Sequence, residues 1–229
     1  MNEKILILGG TKEAAQLAKE LVLEVGEHAV ITSLAGRTKE PKPLVGKVRI
    51  GGFGGVGGLA DYLATNAISR VIDATHPFAE QISANAVKAC QQTKTPLDVR
   101  TRQPWERQAN DNWIEVSSLQ EAREHIPDGA TALLAIGAQH LNVFNGLDRA
   151  KLIARTVDGR LPEHDQTIHK WIKGVPSLNP DDERKILVEH AVTHIICRNS
   201  GGKGAYAKIE AARILGLPVI IVQRQTVHT

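Results

Sequence analysis

Cysteine is scarce in this chain: Cys90 and Cys197 are the only two in 229 residues. So few exclude a disulfide scaffold. Both lie in apolar segments without metal-type spacing, as expected of free, buried thiols in a cytoplasmic protein. Aromatic residues make up 3% of the chain and are scattered, so no platform exists on which bases stack. The net charge of +3 is too small to argue for a polyanion, and nucleic acid is not an expected partner. No apolar run approaches the length of about 18 residues that suggests a membrane span. The opening Met1-Asn2-Glu3-Lys4 leads straight into an apolar segment and gives no sign of a signal peptide, so no membrane partner is expected.

Several chemical signatures are missing as well. There is no G-x-x-x-x-G-K-[ST] loop, which leaves nucleotide hydrolysis without support. Ser200 is followed by Gly201-Gly202, but the G-x-S-x-G elbow of a serine hydrolase is absent. His190 and His194 have helical spacing, yet Glu189 lies outside them and Thr193 starts a strand, so no zinc site is expected. His164 and His169 match no ligand geometry, and no resident metal is expected. No internal repeat recurs at a fixed period.

What the chain does have is 42% hydrophobic and 23% charged residues, enough for one large or two small α/β domains. Ile5-Leu6-Ile7-Leu8 suits a strand buried on both faces of a parallel sheet. Gly9-Gly10 then permits a tight turn, and Thr11 can cap the helix that Ala14, Leu17, Ala18, Leu21, Val22 and Val25 mark by their spacing. Gly26 is expected to end that helix in a left-handed conformation. A strand, a glycine turn and a helix start aim free amides and a positive dipole end at one point, which favours a phosphate. The second strand, Ala29–Ser33, ends without an acid of the kind that binds a ribose 2′-hydroxyl. Ser33 and the nearby Arg37 suit a 2′-phosphate instead, although Arg37 is equally readable as a solvated loop charge.

Lys47–Ile50 reads as a third strand, followed by six glycines in the eight residues Gly51–Gly58. They form either a flexible surface loop or a loop that approaches a ligand with bare backbone, and its place at a sheet's carboxyl edge favours the second. Leu59, Leu63 and Ala67 follow as a short helix. Arg70–Phe78 is a fourth strand and its exit, with Pro77 placed in the first turn of the next helix. Asp73, Thr75 and His76 fall where a doubly wound sheet puts its ligands, with local capping as the alternative for Thr75 and His76. After Leu97–Arg100 the regular alternation breaks, so a domain boundary is placed there, giving domains 1–102 and 103–229. Strands are expected at Trp113–Val116, Thr131–Ile136 and Lys151–Arg155. Helices are expected at Leu119–Ile126 and Asp181–Ala191. The stretch Val157–Asn179, with Gly159, Pro162, Gly174 and Pro176, reads as a lid or a long connection. The end repeats the opening logic: strand Thr193–Cys197, the polar turn Arg198–Gly204, a helix face of Ala205, Ile209, Ala212 and Leu215, and strand Pro218–Val222. That turn is a second anion-binding candidate, with Arg198, Lys203 and Lys208 adding charge.

Taken together, Gly9-Gly10-Thr11 with Glu13, Ser33-Leu34-Ala35-Gly36-Arg37, Gly51-Gly52-Phe53-Gly54-Gly55, Asp73–Ala79 and Arg198–Gly202 resemble, in this order, the precorrin-6A reductases of cobalamin biosynthesis, including the cobalt-precorrin-6A reductases. The likeness runs nearly end to end. It implies an α/β fold of two Rossmann-like domains, parallel sheets flanked by helices, with a cleft between them. It also implies NADPH on the first domain, and a corrin-precursor macrocycle rich in carboxylates whose double bond receives a hydride and a proton. Cofactor contacts would come from Gly9, Gly10, Thr11, Glu13, Ser33, Arg37, Gly54, Asp73 and Thr75. Substrate contacts would come from Asn199, Ser200, Gly201 and Gly202, and catalytic contributions from His76, Arg198 and Lys203.

Two departures concern the proton. The family often has lysine where this chain has Arg198, and arginine where it has Ala15. Arginine binds or polarises but is a poor acid, so His76 ranks first as donor, ahead of Lys203 or a water. The chain is expected to act as a monomer or weak oligomer. Two other readings stand beside the reductase: a generic NADP-dependent dehydrogenase, although neither Tyr62 nor Tyr206 has lysine four residues on, and a non-catalytic NADP(H) sensor.

Overall fold

A computed structural model describes residues 3–36, 43–157 and 167–224. The chain divides into two compact units, Met1–Arg102 and Gln103–Thr229. In the first, strands β1 (Ile5–Leu8), β2 (Val30–Leu34), β3 (Lys47–Ile50), β4 (Arg70–Asp73) and β5 (Leu97–Val99) form a parallel sheet of order β3-β2-β1-β4-β5. The alternation of β1 divides the core. Ile5 and Ile7 pack with Ala14, Ala18 and Leu21 of helix α1 (Lys12–Val25). Leu6 and Leu8 pack with Leu59 and Leu63 of α2 (Gly55–Thr65) and with Ala86, Ala89 and Cys90 of α3 (Glu80–Thr93). β1 thus lies under helices on both faces, which is why its four residues are all aliphatic and all buried.

The second unit has a six-stranded sheet of order β6-β11-β10-β7-β8-β9. Its strands are β6 (Trp113–Val116), β7 (Thr131–Ala135), β8 (Lys151–Thr156), β9 (Ile168–Lys173), β10 (His194–Arg198) and β11 (Val219–Val222), all paired in parallel. Leu187 of α5 (Pro180–Glu189) and Ile209, Ala211 and Ala212 of α6 (Ala207–Leu215) pack against Leu133, Ile153, Ile195, Cys197, Val219 and Ile221. The alternating neighbours Leu134, Leu152, Ile196 and Ile220 are buried on the other face.

Four local expectations change. Gly26 does end α1 with the positive φ, 89°, that favours glycine, but its ψ of 154° is not that of the left-handed helical cap, and its amide donates to Val22 O at 3.0 Å. Pro77 precedes α3 instead of entering it, because Ala79 N bonds His76 O at 2.7 Å and closes a turn around Pro77 and Phe78. Only the first part of the glycine cluster is loop, since Gly55–Gly58 form the start of α2. The stretch Val157–Asn179 contains β9, an edge strand in which three of six residues, His169, Lys170 and Lys173, are polar or charged and exposed. Gly159, Pro162 and His164 lie outside the described residues.

One buried ion pair ties β8 to α5. Arg155 Nη1 lies 2.6 Å from Glu183 Oε2, with side chains 8% and 1% exposed. Glu183 Oε1 also accepts from Ser177 N at 2.7 Å, and Arg155 Nη2 donates to Val175 O at 3.1 Å. Removing one partner of such a pair leaves a buried charge uncompensated. Glu183→Gln is therefore expected to lower unfolding free energy by about 3–5 kcal/mol in a urea titration. The double change Arg155→Met with Glu183→Leu is expected to recover most of that loss.

Candidate active site

Sheet topology fixes where ligands gather. In the first unit β1 sends the chain to β2 on one side, while β4 sends it to β5 on the other. The crevice between their carboxyl ends is the switch point at which open α/β sheets bind ligands. A cavity of about 870 Å³ opens there, within the usual range for a small-molecule site. Gly9, Gly10 and Thr11 line it from β1, Thr32 and Ser33 from β2, Gly51–Gly55 from the loop after β3, and Thr75 and His76 from β4.

Each wall has a local cause. The Gly9 amide donates to Ser33 O at 2.9 Å, and a Cβ at Gly9 would meet Thr32 Cγ2 at 2.9 Å. Thr11 Oγ1 accepts from Ala14 N at 3.0 Å as the cap of α1 and donates to Ala74 O at 2.9 Å across the crevice. Asp73 is buried, with Oδ1 accepting from Thr75 N at 3.0 Å and Thr75 Oγ1 at 2.7 Å. It therefore shapes the strand exit and is not among the lining residues. His76 Nδ1 accepts from Phe78 N at 3.3 Å, which in the neutral ring leaves the proton on Nε2.

Arg49 was not among the residues singled out from the sequence. It stands opposite Ser33 in the β2–β3 register. Nη1 donates to Ser33 Oγ at 3.3 Å and to Gly51 O, Nη2 donates to Gly52 O at 2.7 Å, and the guanidinium lies 3.8 Å from the Phe53 ring centroid. One cation thus organises both the end of β2 and the glycine turn. Gly54 caps α2 with φ +82°. Glu13 does not line the cavity; its carboxylate is 3.4 Å from Arg102 Nη1. Arg37 lies outside the described residues.

The cavity suits a dinucleotide on two counts. Its floor carries a buried Thr32 hydroxyl without a hydrogen-bond partner among the described residues, and the end of β2 offers Ser33 and Arg49 rather than an acid. Among the described residues no cluster of three or more His, Cys, Asp or Glu side chains is placed to hold a metal ion, and no helix is long and apolar enough to cross a membrane.

In the second unit the polar turn after β10 is held from below. Asn199 is buried; its Oδ1 accepts from Trp105 N at 2.7 Å, and its Nδ2 donates to Trp105 O at 2.9 Å and to Gln223 Oε1 at 3.0 Å. Trp105 Nε1 donates to Gly202 O at 2.7 Å. Gly201 has φ +65°, and a Cβ there would collide with the Gln103 carbonyl. Asn199 and Gly201 therefore shape the turn, Ser200 is buried beside them, and Lys203 is exposed. Lys208, expected to add charge to this turn, is instead buried: it donates to Ala205 O at 2.7 Å and sits 5.0 Å from the Trp105 ring, and burial holds its pKa below the usual lysine range. Burial likewise pushes the Cys197 thiol up, against the opposing charges of Lys208 and Arg198. Arg198 Nη1 pairs with His140 Nε2 at 3.1 Å, a second contact that the sequence did not suggest.

The family description "Precorrin-6x reductase CbiJ/CobK" matches residues 4–229. The chain is 46% identical over 228 residues to a precorrin-6A reductase of Rhodobacter capsulatus, covering 98% of this chain and 89% of that one. It is 28% identical over 240 residues to a cobalt-precorrin-6A reductase of Priestia megaterium, covering 98% and 91%. A solved structure titled "CobK precorrin-6A reductase" is similar with a TM-score of 0.90 and 42% identity, covering 99% of this chain and 90% of that one. The turns, strand exits and glycine loop described above thus belong to a chain of the precorrin-6x reductase CbiJ/CobK family, a family of oxidoreductases acting on CH–CH groups.

Proposed function

We propose that this protein reduces one double bond of precorrin-6A in cobalamin biosynthesis with NADPH as reductant. The observation that carries the reading is the cavity at the first switch point, bounded by a bare Gly9-Gly10 turn and by a β2 end whose Ser33 hydroxyl, bonded by Arg49 of the neighbouring β3, stands where an acid would. Greater identity to a relative named precorrin-6A reductase than to one named cobalt-precorrin-6A reductase favours precorrin-6A itself as substrate. The first unit acts as the cofactor domain and the second as the substrate-contacting domain. Two buried free thiols suit action in a reducing compartment such as the cytoplasm.

In this proposal the pyrophosphate rests on the Gly9 and Gly10 amides at the α1 N-terminus, with Thr11 fixing the turn. Ser33 and Arg49, with Arg37, hold the 2′-phosphate, and Gly54 lets the loop backbone approach the adenosine. Thr75 and His76 line the nicotinamide end, with Asp73 fixing Thr75. Glu13 positions the α1 start through Arg102. The bound cofactor supplies hydride to one carbon of the macrocycle. The imidazolium form of His76 supplies the proton to the neighbouring carbon and is left as the neutral ring, so one hydride and one proton are consumed per double bond. The second turn, with Ser200, Gly202 and Lys203, receives the anionic substrate, while Asn199 and Gly201 keep its shape.

The direct test is absorbance at the nicotinamide band. NADPH is expected to be oxidised only when precorrin-6A is present; nucleotide binding without turnover would instead establish a sensor. For Arg49→Ala the Kd for NADPH is expected to rise at least tenfold, with about threefold or less for NADH; equal losses would mean that Arg49 only holds the loop. His76→Gln is expected to lower kcat by about 100-fold and remove an ionisation near neutrality from the rate profile. An unchanged profile would move the proton to another donor.

A further inference from the structure

Two carboxamides border the cavity of the first sheet and have no part in the contacts proposed above. Gln81 and Asn85 stand one turn apart on α3, and both line the space. Gln81 Nε2 donates to Asn85 Oδ1 at 3.0 Å. That bond uses a donor of one amide and the acceptor of the other. Gln81 Oε1 and the Asn85 amino group make no further hydrogen bond among the described residues. Whichever way the two amides are turned, a bonded pair of this kind leaves an acceptor on one and a donor on the other.

The wall around the pair is apolar. Ile82, between the two on α3, and Phe53, in the glycine loop, both line the cavity. Both pack on the same core of Leu59 and Leu63 from α2 and Ala86 and Ala89 from α3. The Phe53 ring lies 3.8 Å from the Arg49 guanidinium, and Arg49 bonds Ser33. A 2′-phosphate held by Ser33 and Arg49 is one ribose away from its base, so the base falls on the Phe53 side of the cavity. An apolar wall with a few placed polar groups is the usual form of a site for a planar heterocycle. Adenine presents an N6–H donor beside the N1 acceptor, the complement of an acceptor beside a donor.

We infer that Gln81 and Asn85 read the adenine of the cofactor, Gln81 Oε1 accepting from N6 and the Asn85 amino group donating to N1. The inference rests on the function proposed above, because it takes NADPH as ligand. It gives the cavity a determinant of base recognition separate from the charge contact at Ser33 and Arg49.

The test is equilibrium binding to the full chain by calorimetry, comparing NADPH with its ethenoadenine analogue. The etheno bridge joins N6 to N1, so both hydrogen bonds are lost while the charges and the nicotinamide are kept. The wild type is expected to bind NADPH about tenfold or more tightly than the analogue. Gln81→Met and Asn85→Leu keep the size of the side chains and remove their hydrogen bonds. Each is expected to bring the two ligands to within about threefold of one another by weakening NADPH alone. The comparison is made within each variant, so a general loss of structure weakens both ligands and leaves their ratio as in the wild type. A wild type that does not distinguish the ligands, or variants that keep the wild-type ratio, would overturn the inference. Variants that instead stop distinguishing NADPH from its acetylpyridine analogue would also overturn it, because the pair would then read the nicotinamide amide. The functional reading fails separately: a protein that prefers adenine in this assay but never oxidises NADPH with precorrin-6A present would overturn the reductase and leave the base assignment standing.

Discussion

The Thr11 hydroxyl joins two strands that the chain leaves in opposite directions. It accepts from Ala14 N and donates to Ala74 O, so one atom both starts α1 and sets the separation of β1 from the β4 exit. Everything at the first site depends on that separation. The helix dipole and the Gly9-Gly10 amides converge there because α1 begins there, and Thr75 and His76 face the same space because Asp73 turns the backbone after β4. The topology creates the crevice, and short polar side chains at strand ends keep it open.

The second unit solves a related problem with different groups. Its glycine turn is fixed by amide and indole bonds from Trp105, and beneath it lie the charged side chains Lys208, Arg155 and Glu183. Buried charges of this kind contribute little net stability, but each makes the loss of its partner costly. The bonds from Trp105 hold the turn after β10 in place, which in the proposed function suits contact with a large, rigid macrocycle.

The parts of the fold that were legible in the sequence were those whose residues answer to one dominant force. β1 and β11 are apolar throughout, and β10 is apolar between its terminal His194 and Arg198, because their central residues are buried on both faces. β9 was not legible: Ile168–Lys173 is an edge strand, so its sequence need not be apolar, and its ladder with β8 is what defines it. Pro77 and the glycine cluster misled for another reason. Each residue type suits a loop or the first turn of a helix, and a hydrogen bond such as Ala79 N to His76 O decides between them. At the site, the glycine turn and the polar strand exits were visible as local motifs. Arg49 and His140 were not. Arg49 meets Ser33 only through strand register, and His140 meets Arg198 only because β7 and β10 are neighbours. A signal for Arg49 was present in outline, as the cation one strand over from a β2 end that lacked an acid. Lys208 shows the converse, a lysine expected to add charge to the turn after β10 but buried on α6.

Trp105 carries a consequence of a different kind. Its backbone and indole are bonded to the turn at both Asn199 and Gly202, and Lys208 and Tyr206 flank its ring. Indole emission responds to nearby charge and to strain on its hydrogen bonds. A ligand that settles on this turn disturbs both at once. In the proposed function, Trp105 therefore reports substrate arrival at this turn ahead of reduction, against the emission of Trp113 and Trp171.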